Sequence, residues 1–175
     1  MVPADAEIVI EGEIPPGVRE IVDPFGEVTR HYQAQCLRQV MQVTALTRRR
    51  QAIMQDIFSG HEEIFNLGAL PKEGGIYNTL QAKLGNAVAV HLPHSGVGRL
   101  ACYISIKKTR EGQAKRAGML ALNESVQTQV VVVVDEDINV FNEPEVIWAV
   151  LTAVNPQRDV ELIHNIYTVF TTSFG

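Results

Sequence analysis

The five consecutive valines of "QVVVVVDEDIN" (Val130 to Val134) constrain this chain more than any other feature. Side chains branched at Cβ are stiff and favour extended backbone over helix. A strand with one wet face would alternate apolar and polar residues. An unbroken run instead fits a strand covered on both faces, as in a parallel sheet under helices. The flanks agree. Before the run, "REGQAKRAGMLALNES" places Ala114, Ala117, Met119 and Leu120 at helical spacing. After it, "EPEVIWAVLTAV" opens with Glu-Pro, a helix start, and carries an apolar stripe. "NAVAVHLP" and "LACYISIKK" predict two further strands, and "DVELIHNI" a last one. From residue 86 onward the rhythm is that of an α/β domain.

The first third has a different character. "EIVIEG" (Glu7 to Gly12) alternates like a strand, and "IPPGVRE" and "DPFGE" are turn signals. "LRQVMQVTALTRRR" reads as one long strand, with a helix as the alternative over its first half, and "AIMQDIF" as another short strand. A helix is expected from Glu73 to Leu84, ended by Gly85. The change from β to α/β character falls between residues 58 and 75. The assignment is two domains: 1–60, with strands too few to close a barrel, and 61–175, α/β. The last residues, "YTVFTTSFG", bring neither a capping helix nor a polar tail, so a piece of something longer is expected.

Composition narrows the function. Apolar residues make up 46% and charged residues 20%, an ordinary globular balance. The net charge is -5, and no basic stripe interleaves with aromatics, which argues against a nucleic-acid partner. No apolar stretch reaches the roughly 20 residues of a membrane span. The amino terminus is acidic where a signal peptide would be basic, so the expected address is the cytoplasm. Cys36 and Cys102 belong to no metal motif and read as reduced packing residues.

Few motifs carry chemistry. Asp135, Glu136 and Asp137 follow the valine run, at the strand end where open α/β sheets bind ligands. They hold a metal or a ribose, or they cap the strand. "HSGVGRL" lacks the third glycine of a dinucleotide loop and reads as a loop between strands. His91 and His94 are three apart, a spacing that sends strand side chains to opposite faces and argues against a metal pair. Lys107 and Lys108 contact an anion or are surface charge. "DPFGE" remains. Pro24 fixes its φ, Gly26 permits unusual backbone geometry, and Glu27 follows at once. A carboxyl held stiffly and buried can deliver a proton; a structural turn is the plainer reading.

The stretches "EGEIPPGVRE…DPFGEVTRHY…VTALTRRRQAIMQDIFSGH", "YISIKKTREGQAKRA" and "VVVVVDEDINVFNEPEVIWAVLTAVNPQRDVELI" together resemble the UbiD-type decarboxylases, motif after motif in the same order. The resemblance implies a split β-barrel flavin domain, of which residues 1–60 are the last strands, followed by an α/β three-layer domain that helps form oligomers. It implies non-oxidative decarboxylation or carboxylation of an aromatic or α,β-unsaturated carboxylic acid. It implies prenylated FMN, with Mn or Mg and potassium at the cofactor phosphate. By position, Glu27 is the acid that replaces CO2 with a proton, and Lys107 is a candidate contact for the phosphate.

Departures from the pattern matter. The family's first acid, five residues before Glu27, is Val22 here, and Asp23 stands where the family has Gly. Either Asp23 takes over the network role or the chemistry is altered. Arg30-His31 replaces Gly-Tyr, and Arg30 meets a second substrate anion or is surface charge. The family's metal ligands and catalytic Arg lie upstream of residue 1, so the chain alone is expected to bind no flavin and to be inactive. The expectation is thus a catalytic fragment or subunit acting on a small carboxylic acid within a homo-oligomer. Its rival is a non-catalytic assembly subunit.

Overall fold

Residues 2–22 and 24–168 are described by a computed structural model. The fold is mixed α/β and divides into two compact units, Met1–His61 and Glu62–Gly175.

The first unit is built from antiparallel pairs. Strand β1 (Ile8–Glu13) pairs with β4 (Gln42–Arg48), and β2 (Glu20–Val22) with β3 (Cys36–Arg38). The β1–β4 register shifts between Glu11 and Gly12. A Cβ at Gly12 would stand 2.5 Å from the Gln42 carbonyl oxygen, so the irregularity admits only glycine. The long strand expected over residues 37–50 is thus two strands. Its first part turns back to β2 and its second to β1, with a break at 39–41. "AIMQDIF" is irregular rather than a strand. Side chains bind its backbone in place of a ladder: Ile53 N donates to Glu7 Oε2 at 3.2 Å and Ile57 N to Asp56 Oδ1 at 2.9 Å. Among the described residues, Val28 is the only hydrophobic side chain of this unit that is fully buried.

The second unit opens with α1 (Glu62–Leu84), which begins a full three turns before the expected Glu73. Pro71 and the glycines at 68, 74 and 75 make this helix poor by propensity. Packing overrides this, since Phe65, Ala69, Ile76 and Leu80 all face the core. Glu62 and Glu63 in the first turn suit the helix dipole. Gly85, at φ 68°, ends the helix as expected and donates to Gln81 O at 3.0 Å.

Strands β5 (Ala87–His91), β6 (Ala101–Ile106) and β7 (Val130–Asp135) form a sheet in that order. β5 runs antiparallel to β6, and β6 parallel to β7, from Ala101↔Val130 to Ile106↔Asp135. Helix α2 (Gln113–Glu124) makes the parallel crossover. The valine run is therefore a parallel strand, with both faces covered. Val131 and Val133 pack on the core of α1 and α2; Val132 and Val134 pack with Tyr103, Val140 and Val146. It is half-buried rather than buried, because it has one ladder neighbour among the described residues.

"HSGVGRL" is a loop, as expected. A 3-10 turn (His94–Gly96) leads into Val97 and Gly98, both at positive φ. A Cβ on Gly98 would come 2.5 Å from the Phe65 carbonyl oxygen. Helix α3 (Glu143–Ala153) begins at the predicted Glu-Pro. The last predicted strand is not formed. Asn155 caps a short helix α4 (Pro156–Asp159), accepting from Gln157 N at 3.0 Å, and residues 160–166 form no ladder.

Two predictions test this packing. Ile104 is fully buried in the middle of β6, so Ile104→Ala should lower unfolding free energy by about 2–5 kcal/mol in urea titration. Burial first, and then the nearby Glu73 charge, push the Cys102 thiol from 9.0 up to about 12. Above pH 9 the unfolded chain therefore binds fewer protons than the folded one. Its contribution to stability is full below pH 9 and is lost as pH rises toward 12, by about 1.4 kcal/mol per pH unit. Urea titrations of wild type and Cys102→Ala should diverge by that slope across this window and run parallel below it.

Candidate functional site around Glu27

The residues after Pro24 close into a small hairpin. Gly26 and Tyr32 form an isolated antiparallel bridge, and Gln33 N donates to Phe25 O at 3.0 Å. Inside it, Glu27 N donates to His31 O at 2.8 Å and Arg30 N to Glu27 O at 2.9 Å. These bonds fix the Glu27 backbone on both sides. These bonds add to the φ restriction that Pro24 brings to the bend. Gly26 has no positive φ, and nothing lies within 4 Å of where its Cβ would be. The positive φ of the hairpin, 65°, falls on Arg30. Arg30 Nε donates to Gly60 O at 3.0 Å, so the left-handed residue is tied down by its own side chain.

The Glu27 side chain is half-buried, next to the fully buried Val28. Its two oxygens are unequal. Oε1 accepts a 2.6 Å hydrogen bond from Gln33 Nε2. Among the described residues Oε2 accepts a longer contact, 3.3 Å, from Val28 N. The carboxyl thus has one oxygen held closely by a side chain and one held more loosely by a backbone N–H. A positioned carboxyl of this kind can hold or transfer a proton.

Asp23 lies outside the described residues. Val22 ends β2 opposite Cys36 and is half-buried. Lys107 belongs to the second unit. It follows β6 directly, and Lys107 N donates to Asn86 O at 2.9 Å. Its ammonium is exposed and 3.7 Å from Glu136 Oε1, also exposed. The acidic run after β7 turns the chain: Asp135 O accepts from Ile138 N at 3.2 Å and Ser105 Oγ at 3.3 Å. His91 and His94 have separate partners, Glu73 Oε1 at 2.9 Å and Asn66 Oδ1 at 2.7 Å. Among the described residues no group of three or more His, Cys, Asp or Glu could hold a metal ion, and no helix is long and apolar enough to cross a membrane.

Two polar groupings escape sequence reasoning. Gln33 is the direct partner of Glu27, and only the hairpin brings the two together across six positions of sequence. The second is the Glu143 carboxylate at the start of α3. It accepts from Ser95 Oγ and from the Tyr103 hydroxyl, the latter at 3.0 Å. Burial first, then this hydrogen bond, raise the Tyr103 pKa.

Comparison with known proteins gives one consistent result. The domain family described as "3-octaprenyl-4-hydroxybenzoate carboxy-lyase Rift-related domain" matches residues 1–62, and its "C-terminal domain" counterpart matches residues 65–172. An evolved dimeric form of the UbiD-class enzyme HmfF from Pelotomaculum thermopropionicum, solved with prFMN, is 44% identical with a TM-score of 0.87. The match covers 95% of this chain and 39% of that one. Vanillic acid decarboxylase from Sedimentibacter hydroxybenzoicus, in its open form with truncated ShVdcD, is 32% identical over 94% of this chain and 36% of its own, with a TM-score of 0.82. Apo 3,4-dihydroxybenzoic acid decarboxylase (AroY) from Klebsiella pneumoniae is 30% identical over 89% and 34%, with a TM-score of 0.80. This chain, which spans less than half the length of each of these proteins, belongs to the UbiD family of carboxy-lyases.

Proposed function

We propose that this chain is the carboxyl-terminal part of a UbiD-type enzyme that exchanges CO2 and a proton on an aromatic or α,β-unsaturated carboxylic acid, with Glu27 as the acid. In this reading residues 1–60 are the last strands of a split-barrel flavin domain, and residues 61–175 an α/β three-layer domain that assembles with other copies. The observation that carries it is Glu27: a half-buried carboxyl fixed by a closed hairpin, with Oε2 held more loosely than Oε1.

The fit to prenylated FMN is partial. No heavy atom lies within 4 Å of where a Cβ on Gly26 would stand. Lys107, an exposed cation of the second unit, remains a candidate contact for a phosphate. Among the described residues no group of three or more His, Cys, Asp or Glu offers a full set of side-chain ligands to the Mn or Mg ion. When bound, the cofactor holds the electron pair left when the carbon–carbon bond to CO2 breaks. The protein's part is the proton. Protonated Glu27 delivers it from Oε2 to the carbon that has lost CO2, and the carboxylate formed regains one from solvent. In the carboxylation direction the same oxygen takes the proton away.

A second reading, assembly without catalysis, draws on Val22 and on α3. Its Ile147, Trp148 and Leu151 are 42%, 59% and 78% exposed, an apolar face suited to another protein surface.

Activity separates the two. In the full-length parent reconstituted with prenylated FMN, Glu27→Gln should cut CO2 release by about 10²–10⁴-fold while flavin stays bound. Absence of turnover by the wild type over a broad panel of acids would favour assembly. The 175-residue chain by itself should purify without flavin absorbance, and a flavin bound near one equivalent would overturn the fragment reading.

A further inference from the structure

We infer that Gln33 is a positioning residue for proton delivery, fixing Glu27 through Oε1 so that Oε2 carries the transferred proton. The inference rests on the role proposed for Glu27 but adds a residue and an atom to it.

Three observations carry it. The 2.6 Å contact from Gln33 Nε2 is the shortest hydrogen bond Glu27 makes among the described residues, and it is made to one oxygen only. Gln33 is itself anchored, since its backbone N donates to Phe25 O across the hairpin. Its side chain therefore starts from a fixed point and is half-buried beside Glu27. Finally, Val22, which ends β2, carries no group able to share a proton.

The chemistry suits a carboxamide. A group that gives up and regains a proton needs a neighbour compatible with both states. The amide NH2 donates to Oε1 of the carboxylate, and equally to Oε1 as the carbonyl oxygen of the acid whose proton sits on Oε2. Neither state leaves an unpaired partner. An ammonium or guanidinium in that place would hold Glu27 ionised, and a carboxylate would repel it. Glutamine supplies orientation without adding charge. Glu27 and Gln33 keep the same contact before and after transfer, and only Oε2 changes its bond.

The test uses the full-length parent with Gln33→Leu, close in size but without hydrogen bonds, and Gln33→Glu. Two readouts are taken: the pH profile of kcat with prenylated FMN, and an infrared titration of the flavin-free protein. The Glu27 carboxyl band in that titration is identified by its loss in Glu27→Gln. Loss of the donor in Gln33→Leu should move both readouts toward higher pH than in the wild type. It should also lower kcat at neutral pH about 10-fold or more with KM little changed. Gln33→Glu should also move the titration upward, because two carboxyls then share a site. If Gln33→Leu does not fold, Gln33→Glu alone decides by the same titration. Unshifted titrations in the folded variants would overturn the inference. If they come with an inactive Glu27→Gln enzyme, only Gln33 loses its role; if Glu27→Gln is fully active, the parent reading fails instead.

Discussion

The second unit depends on the burial of β6. Cys102, Ile104 and Ile106 face one side of the sheet, and Tyr103 and Ser105 the other, all of them buried. β5 and β7 flank it on its two edges, one antiparallel and one parallel. Each face then needs its own cover, which α1 and α2 provide on one side and Val140 and Val146 on the other. At about 25 cal/mol per Å² of apolar surface removed from water, this two-sided burial is the main stabilising term. The special residues nearby serve it. Gly98 lets the loop before β6 lie against the Phe65 backbone, and Arg99 Nη1 reaches back to Ile64 O at 3.3 Å and Val97 O at 3.1 Å.

The first unit rests on another kind of force. Its strands are short, and Ile10, Ile21, Leu37, Val43 and Leu46 are all more than half exposed. Order around Glu27 comes from directed bonds: three backbone hydrogen bonds between residues 25 and 33, the amide of Gln33, and the tie from Arg30 to Gly60. Directed bonds suit a proton-transfer site better than packing does. A packed side chain is located to within a rotamer, whereas a hydrogen-bonded carboxyl has its two oxygens told apart.

Much of this was legible in the sequence. The valine run, the stop at Gly85 and the start at Glu143-Pro144 each express a rule that acts within a few residues, and each holds in the structure. The failures share a cause. Helix α1 runs through Pro71 because Phe65 and Ala69 find a core that no local propensity announces. Residues 52–58 and 160–166 have strand composition, but a strand needs a neighbour, and pairing is not encoded locally. Glu27 could be singled out by its motif. Gln33 could not, since a glutamine six positions away carries no signal until the hairpin closes. The left-handed position of the hairpin carries no signal for a similar reason: the sequence shows Pro and Gly, whereas the residue with positive φ is an arginine.

One carboxylate has a mechanical role. Val146 is the only residue of α3 that is fully buried, so little apolar contact holds that helix. Its first turn is nonetheless joined to β6 and to the 3-10 turn, because Glu143 receives both the Tyr103 and the Ser95 hydroxyl. The exposed Trp148 and Leu151 therefore share a helix with a carboxylate that ties together two hydroxyls from different segments of the chain.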